Sequence, residues 1–154
     1  MEKTYVVGFG NLLMSDDGVG IRVVQELAND KLPAGVTAID GGVSSLEVLG
    51  SLLAASRIII VDALTGGGEP GTVYRLTPAD LGPAEPVAGF SLHDFSLPQT
   101  LALLATRSAL PPMVIYGIEP AELAMGLVLT PEVAAAAARV RKLILAELWG
   151  STDA

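Results

Sequence analysis

Acidic side chains and the single histidine of this sequence fall at the ends of predicted strands. Asp16 and Asp17 follow the first strand, Asp40 ends the second, Asp62 follows the third, and His93 precedes a predicted helix. In an open α/β sheet, ligands bind outside the carboxyl ends of the strands. Carboxylates crowded there repel one another unless a proton or a cation lies among them. A divalent ion bound by two carboxylates and one imidazole would relieve this repulsion and leave open positions for a substrate.

Each of these residues also has a purely structural interpretation. An aspartate just after a strand is often a helix cap, and Asp16 or Asp17 could cap a helix that begins near Gly18. Asp40 precedes two glycines, which is typical of a tight turn. A single histidine is more often an ordinary hydrogen-bonded residue than a ligand. The prediction of a metal site therefore depends on the acids and the histidine occurring together.

Four short apolar segments predict buried parallel strands, because continuous runs of β-branched residues suit a sheet that is covered on both faces. They are Thr4–Gly8, Val36–Ile39, Arg57–Val61 and Met113–Ile118. A fifth segment, Val73–Leu76, follows a loop too short to contain a crossover helix. We expect this segment to run antiparallel, at an edge of the sheet.

Helical patterns alternate with these strands. Apolar residues recur at helical spacing from Val19 to Leu27, from Leu46 to Leu53, from Pro98 to Thr106 and from Val133 to Ile144. Thr130, Pro131 and Glu132 are typical of an N-cap, a first-turn proline and a first-turn acid. The alternation predicts one three-layer α/β/α domain over residues 1–154, with a twisted, mostly parallel sheet of about five strands and one antiparallel edge strand.

The composition limits the partners and the compartment. The 154 residues are 51% hydrophobic, which is enough for a sizeable core. The 17 acids and 9 bases give a net charge of -8, which argues against binding to nucleic acid or to anionic membranes. No apolar run reaches the ~18 residues of a membrane span. The sequence has no cysteine, which excludes thiol chemistry and disulfides and is compatible with the cytoplasm.

A nucleotide-binding module of the Rossmann type is the alternative function. Gly8 and Gly10 follow a strand, and Asp40 ends the next strand, where a ribose-binding acid would lie. Two features disfavour this alternative. Leu13 stands at the third glycine position of that fingerprint, so close packing of helix and strand is not expected there, and the two aspartates that follow would bring negative charge near a pyrophosphate. A serine hydrolase is also disfavoured, because no G-x-S-x-G motif is present.

Nearly the whole chain resembles the hydrogenase maturation endopeptidases. The resemblance begins with the glycine loop and acids of residues 8–20. It continues in order through Asp40-Gly41-Gly42, Val61-Asp62-Ala63, Ser91-Leu92-His93-Asp94 and Gly117-Ile118-Glu119-Pro120. It implies an endopeptidase that removes the C-terminal extension of a nickel-iron hydrogenase large-subunit precursor after nickel insertion. It also implies a five-stranded twisted sheet between helices, and a monomer that acts transiently on this precursor.

The same resemblance implies roles for four residues. Asp17, Asp62 and His93 correspond to the metal ligands of the family, and Asp40 corresponds to a position linked to substrate handling. Many members of the family carry glutamate at the position of Asp17. The metal would be nickel supplied by the precursor, and zinc or cadmium could take its place.

Overall fold

One mixed sheet forms the centre of the fold. The structure is a computed structural model that describes residues 2–82 and 96–150. Within these ranges the strands are β1 (Thr4–Gly8), β2 (Val36–Asp40), β3 (Arg57–Ala63), β4 (Val73–Leu76) and β5 (Met113–Ile118). Their order in the sheet is β2-β1-β3-β5-β4. All neighbouring strands run parallel except β4, which pairs antiparallel with β5 at the edge, and this confirms the predicted antiparallel edge strand.

The described helices cover both faces of the sheet. They are α1 (Val19–Leu27), α2 (Ser45–Ser51), α3 (Leu97–Ala105) and α4 (Pro131–Gly150). Successive side chains of a strand point to opposite faces. Val6 and Ile59 accordingly pack with α1 and α4, whereas Val7 and Ile60 pack with α2 and α3, which gives the predicted three layers. None of the helices in the described ranges is long and apolar enough to span a bilayer.

Strand β3 extends two residues beyond its predicted end at Val61. Its ladder with β5 continues through the pairs Asp62–Gly117 and Ala63–Ile118. Aspartate is unfavourable inside a strand, which is why the sequence predicts an earlier end. Pairing with β5 outweighs that preference here. As a consequence, Asp62 is fixed by the sheet itself rather than by a loop.

Glycines allow α1 to lie very close to the sheet. A Cβ atom on Gly20 would lie 2.2 Å from the carbonyl oxygen of Val61 and 2.6 Å from that of Phe9. A Cβ atom on Gly8 would lie 2.1 Å from the carbonyl oxygen of Gly20. No side chain fits at either position without moving the helix. The contact therefore places the beginning of α1 directly over β1 and β3.

We expect Gly20→Ala to destabilise the fold. The new methyl group would overlap two carbonyl oxygens, and this overlap should outweigh the gain of about 1 kcal/mol that alanine brings to a helix interior over glycine. The free energy of unfolding, measured by urea denaturation, should fall by at least about 2 kcal/mol.

Gly50→Ala is the matched control for that measurement. Gly50 also lies in a helix, α2, but the atom nearest to an added Cβ is 3.8 Å away, in ordinary contact distance. This variant should be as stable as the wild type or slightly more stable. If Gly20→Ala behaved like Gly50→Ala, the close approach of α1 would not be a constraint on the fold.

Candidate functional site

Asp62 is a half-buried carboxyl near the carboxyl end of β3. Burial and, to a smaller extent, the negative charge of Asp17 raise the pKa of this carboxyl to about 8. A backbone hydrogen bond from Ala63 opposes the rise without cancelling it. Near neutral pH, and without a cation, Asp62 therefore keeps its proton.

Asp17 belongs to a 3-10 turn, Ser15–Gly18, that connects β1 to α1. Its Oδ2 accepts a hydrogen bond from the backbone N–H of Asn11 at 3.0 Å. Gly10 makes room for this turn, because its φ is +143° and a Cβ there would lie 1.9 Å from the carbonyl oxygen of Asp17. Gly10, which the nucleotide-binding alternative would use to bind phosphate, thus makes room for the turn that carries Asp17.

A pocket of about 280 Å³ at the carboxyl end of the sheet brings Asp17 and Asp62 together. Its other lining residues are Phe9, Gly10, Asn11, Val43, Ser45, Ser96 and Leu97. A slightly larger pocket, of about 310 Å³, lies at the opposite end of the sheet near Thr4 and Arg57, and Glu2 is the one acid that lines it. The pocket that contains Asp17 and Asp62 is the candidate site because of this pair of neighbouring acids, although it is the smaller of the two pockets.

Asp40 lies apart from the lining of this pocket. It ends β2, is exposed, and its Oδ1 accepts a hydrogen bond from the backbone N–H of Gly42 at 2.9 Å. This is the turn chemistry that the sequence also allowed. A role in catalysis or substrate handling for Asp40 stays a prediction.

His93 lies outside the described residues, so its place in the site stays a prediction. In the sequence it precedes Ser96, which lines the pocket, by three residues. Within residues 2–82 and 96–150, no three His, Cys, Asp or Glu side chains form a group that could hold a metal ion. The described residues therefore supply two acids of the predicted set of three ligands.

Asp16 has a role that the sequence did not reveal. Its carboxylate is fully buried and accepts hydrogen bonds from the segment of residues 121–130. Burial alone would raise the pKa of Asp16, but the bonds from Glu122, Thr130 and Ala121 outweigh it and hold the pKa below the usual range. The helix-cap interpretation is wrong, because the N-cap of α1 is Gly18 and no side chain caps it. Two adjacent acids before an apolar helix were the only signal in the sequence.

The loop between β1 and α1 differs from a dinucleotide-binding turn. In that fingerprint a third glycine allows the helix to pack closely on the strand. Here the close packing exists, contrary to the expectation from Leu13, because Gly20 provides it from inside α1. Asp17 lines the pocket together with Gly10 and Asn11 of this loop. Its charge disfavours the nucleotide-binding alternative.

Comparison with known proteins identifies the family. Residues 21–147 match the HycI family, described as hydrogenase maturation protease. The chain belongs to the hydrogenase maturation protease family. The Hydrogenase 2 maturation protease of Escherichia coli strain K12 is 32% identical over 149 residues, which cover 95% of this chain and 90% of that protein. The hydrogenase expression/formation protein HupD of Rhodobacter capsulatus is 34% identical over 124 residues, 79% of this chain and 59% of that protein.

Solved structures of the hydrogenase maturation protease family share the fold. The hydrogenase maturating endopeptidase HybD from E. coli matches with a TM-score of 0.79 and 30% identity, over 97% of this chain and 93% of that one. The first three curated relatives are longer proteins, of which the chain spans 57–59%.

Because the pKa of Asp62 is raised, we expect the stability of this hydrogenase maturation protease family member to depend on pH. An aspartate has an ordinary pKa of 3.8, whereas folding raises that of Asp62 to about 8. Between these values the folded state binds a proton that the unfolded state has lost, so the free energy of unfolding falls as pH rises from about 4 to about 8. Asp62→Asn has no proton to lose. The full rise in pKa would make it more stable than the wild type by about 5 kcal/mol at pH 8, and the partial exposure of Asp62 to solvent reduces this to on the order of 2 kcal/mol.

Urea denaturation of both proteins across this pH range, with a chelator present, measures the effect. As pH rises, the free energy of unfolding of the wild type should fall further and further below that of Asp62→Asn. A constant difference would not be enough, because other titrating groups contribute equally to both proteins. Parallel curves would show that the pKa of Asp62 is not raised in the folded protein.

Proposed function

We propose that this protein is an endopeptidase that removes the C-terminal extension of a nickel-iron hydrogenase large-subunit precursor after nickel insertion. The observation that carries the proposal is the pocket in which Asp17 and Asp62 lie together, with the pKa of Asp62 raised to about 8. Membership of the hydrogenase maturation protease family supports the reaction class. A cation would relieve the repulsion that this pair of acids creates.

In this proposal Asp17, Asp62 and His93 bind the nickel that the precursor brings. Two carboxylates and an imidazole suit nickel, and zinc or cadmium could bind the same ligands. Asp62 would release its proton when a cation binds, because a coordinating carboxylate must be ionised. Asp17 already receives the N–H of Asn11, which orients its carboxylate within the pocket.

Two roles of the nickel are compatible with this ligand set. As a recognition element, it would mark a precursor that has received its metal. As a Lewis acid, it would polarise the scissile carbonyl or activate a water molecule. Asp40, on an exposed turn at the end of β2, would contact the precursor rather than the metal.

We further propose that the protein acts as a monomer in the cytoplasm. The absence of cysteine is compatible with a reducing compartment. The net charge of -8 disfavours nucleic acid and anionic membrane surfaces as partners, which leaves the precursor as the partner.

An intact-mass assay on the cognate large-subunit precursor tests the proposal. With nickel-loaded precursor, the wild type should remove a short C-terminal peptide, and nickel-free precursor should remain uncut. Asp17→Asn and His93→Ala should each lower the rate at least about 10-fold, since each removes a proposed ligand.

Asp30→Asn is the matched acid-to-amide control. Asp30 lies just beyond the C-terminal end of α1 and pairs with Arg141 at 2.7 Å, away from the pocket. This variant should cleave like the wild type. Equal cleavage by all variants would rule out the proposed site. If the wild type did not cleave nickel-loaded precursor, the proposed activity would be ruled out.

A further inference from the structure

The carboxylate of Asp16 joins two segments that are far apart in the chain. It is fully buried. Its Oδ2 accepts from the backbone N–H of Ala121 at 2.9 Å, from that of Glu122 at 2.9 Å, and from the hydroxyl of Thr130 at 2.9 Å. Its Oδ1 accepts from the backbone N–H of Thr130 at 2.8 Å. Four hydrogen bonds thus attach one side chain to both ends of the segment of residues 121–130.

The backbone of the same turn is attached to the same segment. The N–H of Asp16 donates to the carbonyl oxygen of Glu122 at 3.0 Å, and the N–H of Ser15 donates to that of Gly126 at 2.9 Å. The hydroxyl of Ser15 donates to the carbonyl oxygen of Ala124 at 2.8 Å. Ser15 also has a φ of +51°, a conformation that a non-glycine residue adopts only when its surroundings impose it.

Asp17 is the next residue of this turn, and its carboxylate lines the pocket instead. We propose that Asp16 is a positioning residue, which fastens the Ser15–Gly18 turn to residues 121–130 and thereby holds the Asp17 carboxylate in the pocket. None of residues 121–130 lines that pocket, so the segment acts on the site through the turn, to which the side chain of Asp16 contributes four hydrogen bonds. The inference rests on the proposed function only for its effect on nickel, because the position of Asp17 can be measured without a metal.

The bonds of Asp16 require an ionised carboxylate. Three of its four donors are backbone N–H groups, which cannot reverse their role. An asparagine whose oxygen replaced Oδ2 would point its NH₂ group at the N–H of Thr130, and the flipped amide would point it at those of Ala121 and Glu122. Either orientation buries donors against each other, which leaves them unsatisfied. Asp16→Asn should therefore release the turn although it keeps the shape of the side chain.

Glu119, two residues before Ala121, offers a matched control. It is also buried, and its Oε1 accepts from the backbone N–H groups of Gly66 at 2.8 Å and Gly68 at 3.1 Å and from the hydroxyl of Tyr74 at 2.7 Å. It anchors a loop that follows β3 and does not line the pocket. Glu119→Gln therefore removes the charge of a comparable buried carboxylate without touching the turn of Asp17.

Hydrogen exchange followed by NMR tests the inference, with the backbone amide of Asn11 as the reporter. This amide donates to Asp17 Oδ2, so we expect its protection from exchange to fall when the Asp17 carboxylate moves. In Asp16→Asn we expect its exchange to be at least tenfold faster than in the wild type, and in Glu119→Gln we expect it to be unchanged. Unchanged exchange at Asn11 in Asp16→Asn, with faster exchange at Ala121 and Glu122, would overturn the inference.

Thr130→Val keeps the inference testable if Asp16→Asn does not fold. It removes only the hydroxyl donor and leaves the three backbone donors and the charge of Asp16. Exchange at Asn11 should rise by a smaller factor than in Asp16→Asn, and no change would count against the inference.

Nickel titration calorimetry separates positioning from a general loss of stability. Well below the unfolding temperature, Asp16→Asn should bind Ni²⁺ at least tenfold more weakly than Glu119→Gln, and equal affinities in the two variants would contradict the inference. If the wild type binds no nickel and cuts no precursor, the proposed function fails, whereas the exchange at Asn11 still decides whether Asp16 positions Asp17.

Discussion

A buried carboxylate is stable only where hydrogen-bond donors or a cation compensate its charge. Two aspartates of this fold meet that constraint in opposite ways. Asp16 receives four hydrogen bonds, and its pKa lies below the usual range. Asp62 has the negative charge of Asp17 nearby and gains too little from its backbone hydrogen bond, so that burial raises its pKa to about 8. Among the described residues no Lys or Arg lines the pocket, so a proton on Asp62 takes the place of a positive partner beside Asp17.

The geometry of that pocket depends on how the two acids are held. Asp62 belongs to the central sheet and is fixed by its pairing with Gly117. Asp17 belongs to a short turn, whose far side is anchored by Asp16 and whose following helix lies against the sheet through Gly20. One acid is thus rigid by backbone pairing, and the other is rigid only as long as the turn remains anchored. Changes far from the pocket can for this reason alter the site through Asp17 much more easily than through Asp62.

Prediction from the sequence succeeded where the information is local. Strands β1 and β5 begin and end at the predicted residues, because their β-branched runs are continuous. The rule that ligands gather at the carboxyl ends of parallel strands correctly brought Asp17 and Asp62 to one pocket. The end of β3 was predicted two residues too early, since its pairing with Gly117 is not visible in the local composition. Asp16 was misassigned for a similar reason, because its donors lie 105 to 114 residues further along the chain.

The proton on Asp62 also bears on how such a site would distinguish a metal-loaded precursor from an empty one. A free ion would have to displace that proton, which weakens its binding near neutral pH. A precursor without metal would bring no cation, so Asp62 would keep its proton and could not act as a ligand beside Asp17. A precursor with nickel would supply the missing positive charge together with its peptide, and the two contributions would act as one ligand. In this arrangement discrimination would come from the cost of removing the proton from Asp62 without a cation as much as from the bonds formed to nickel.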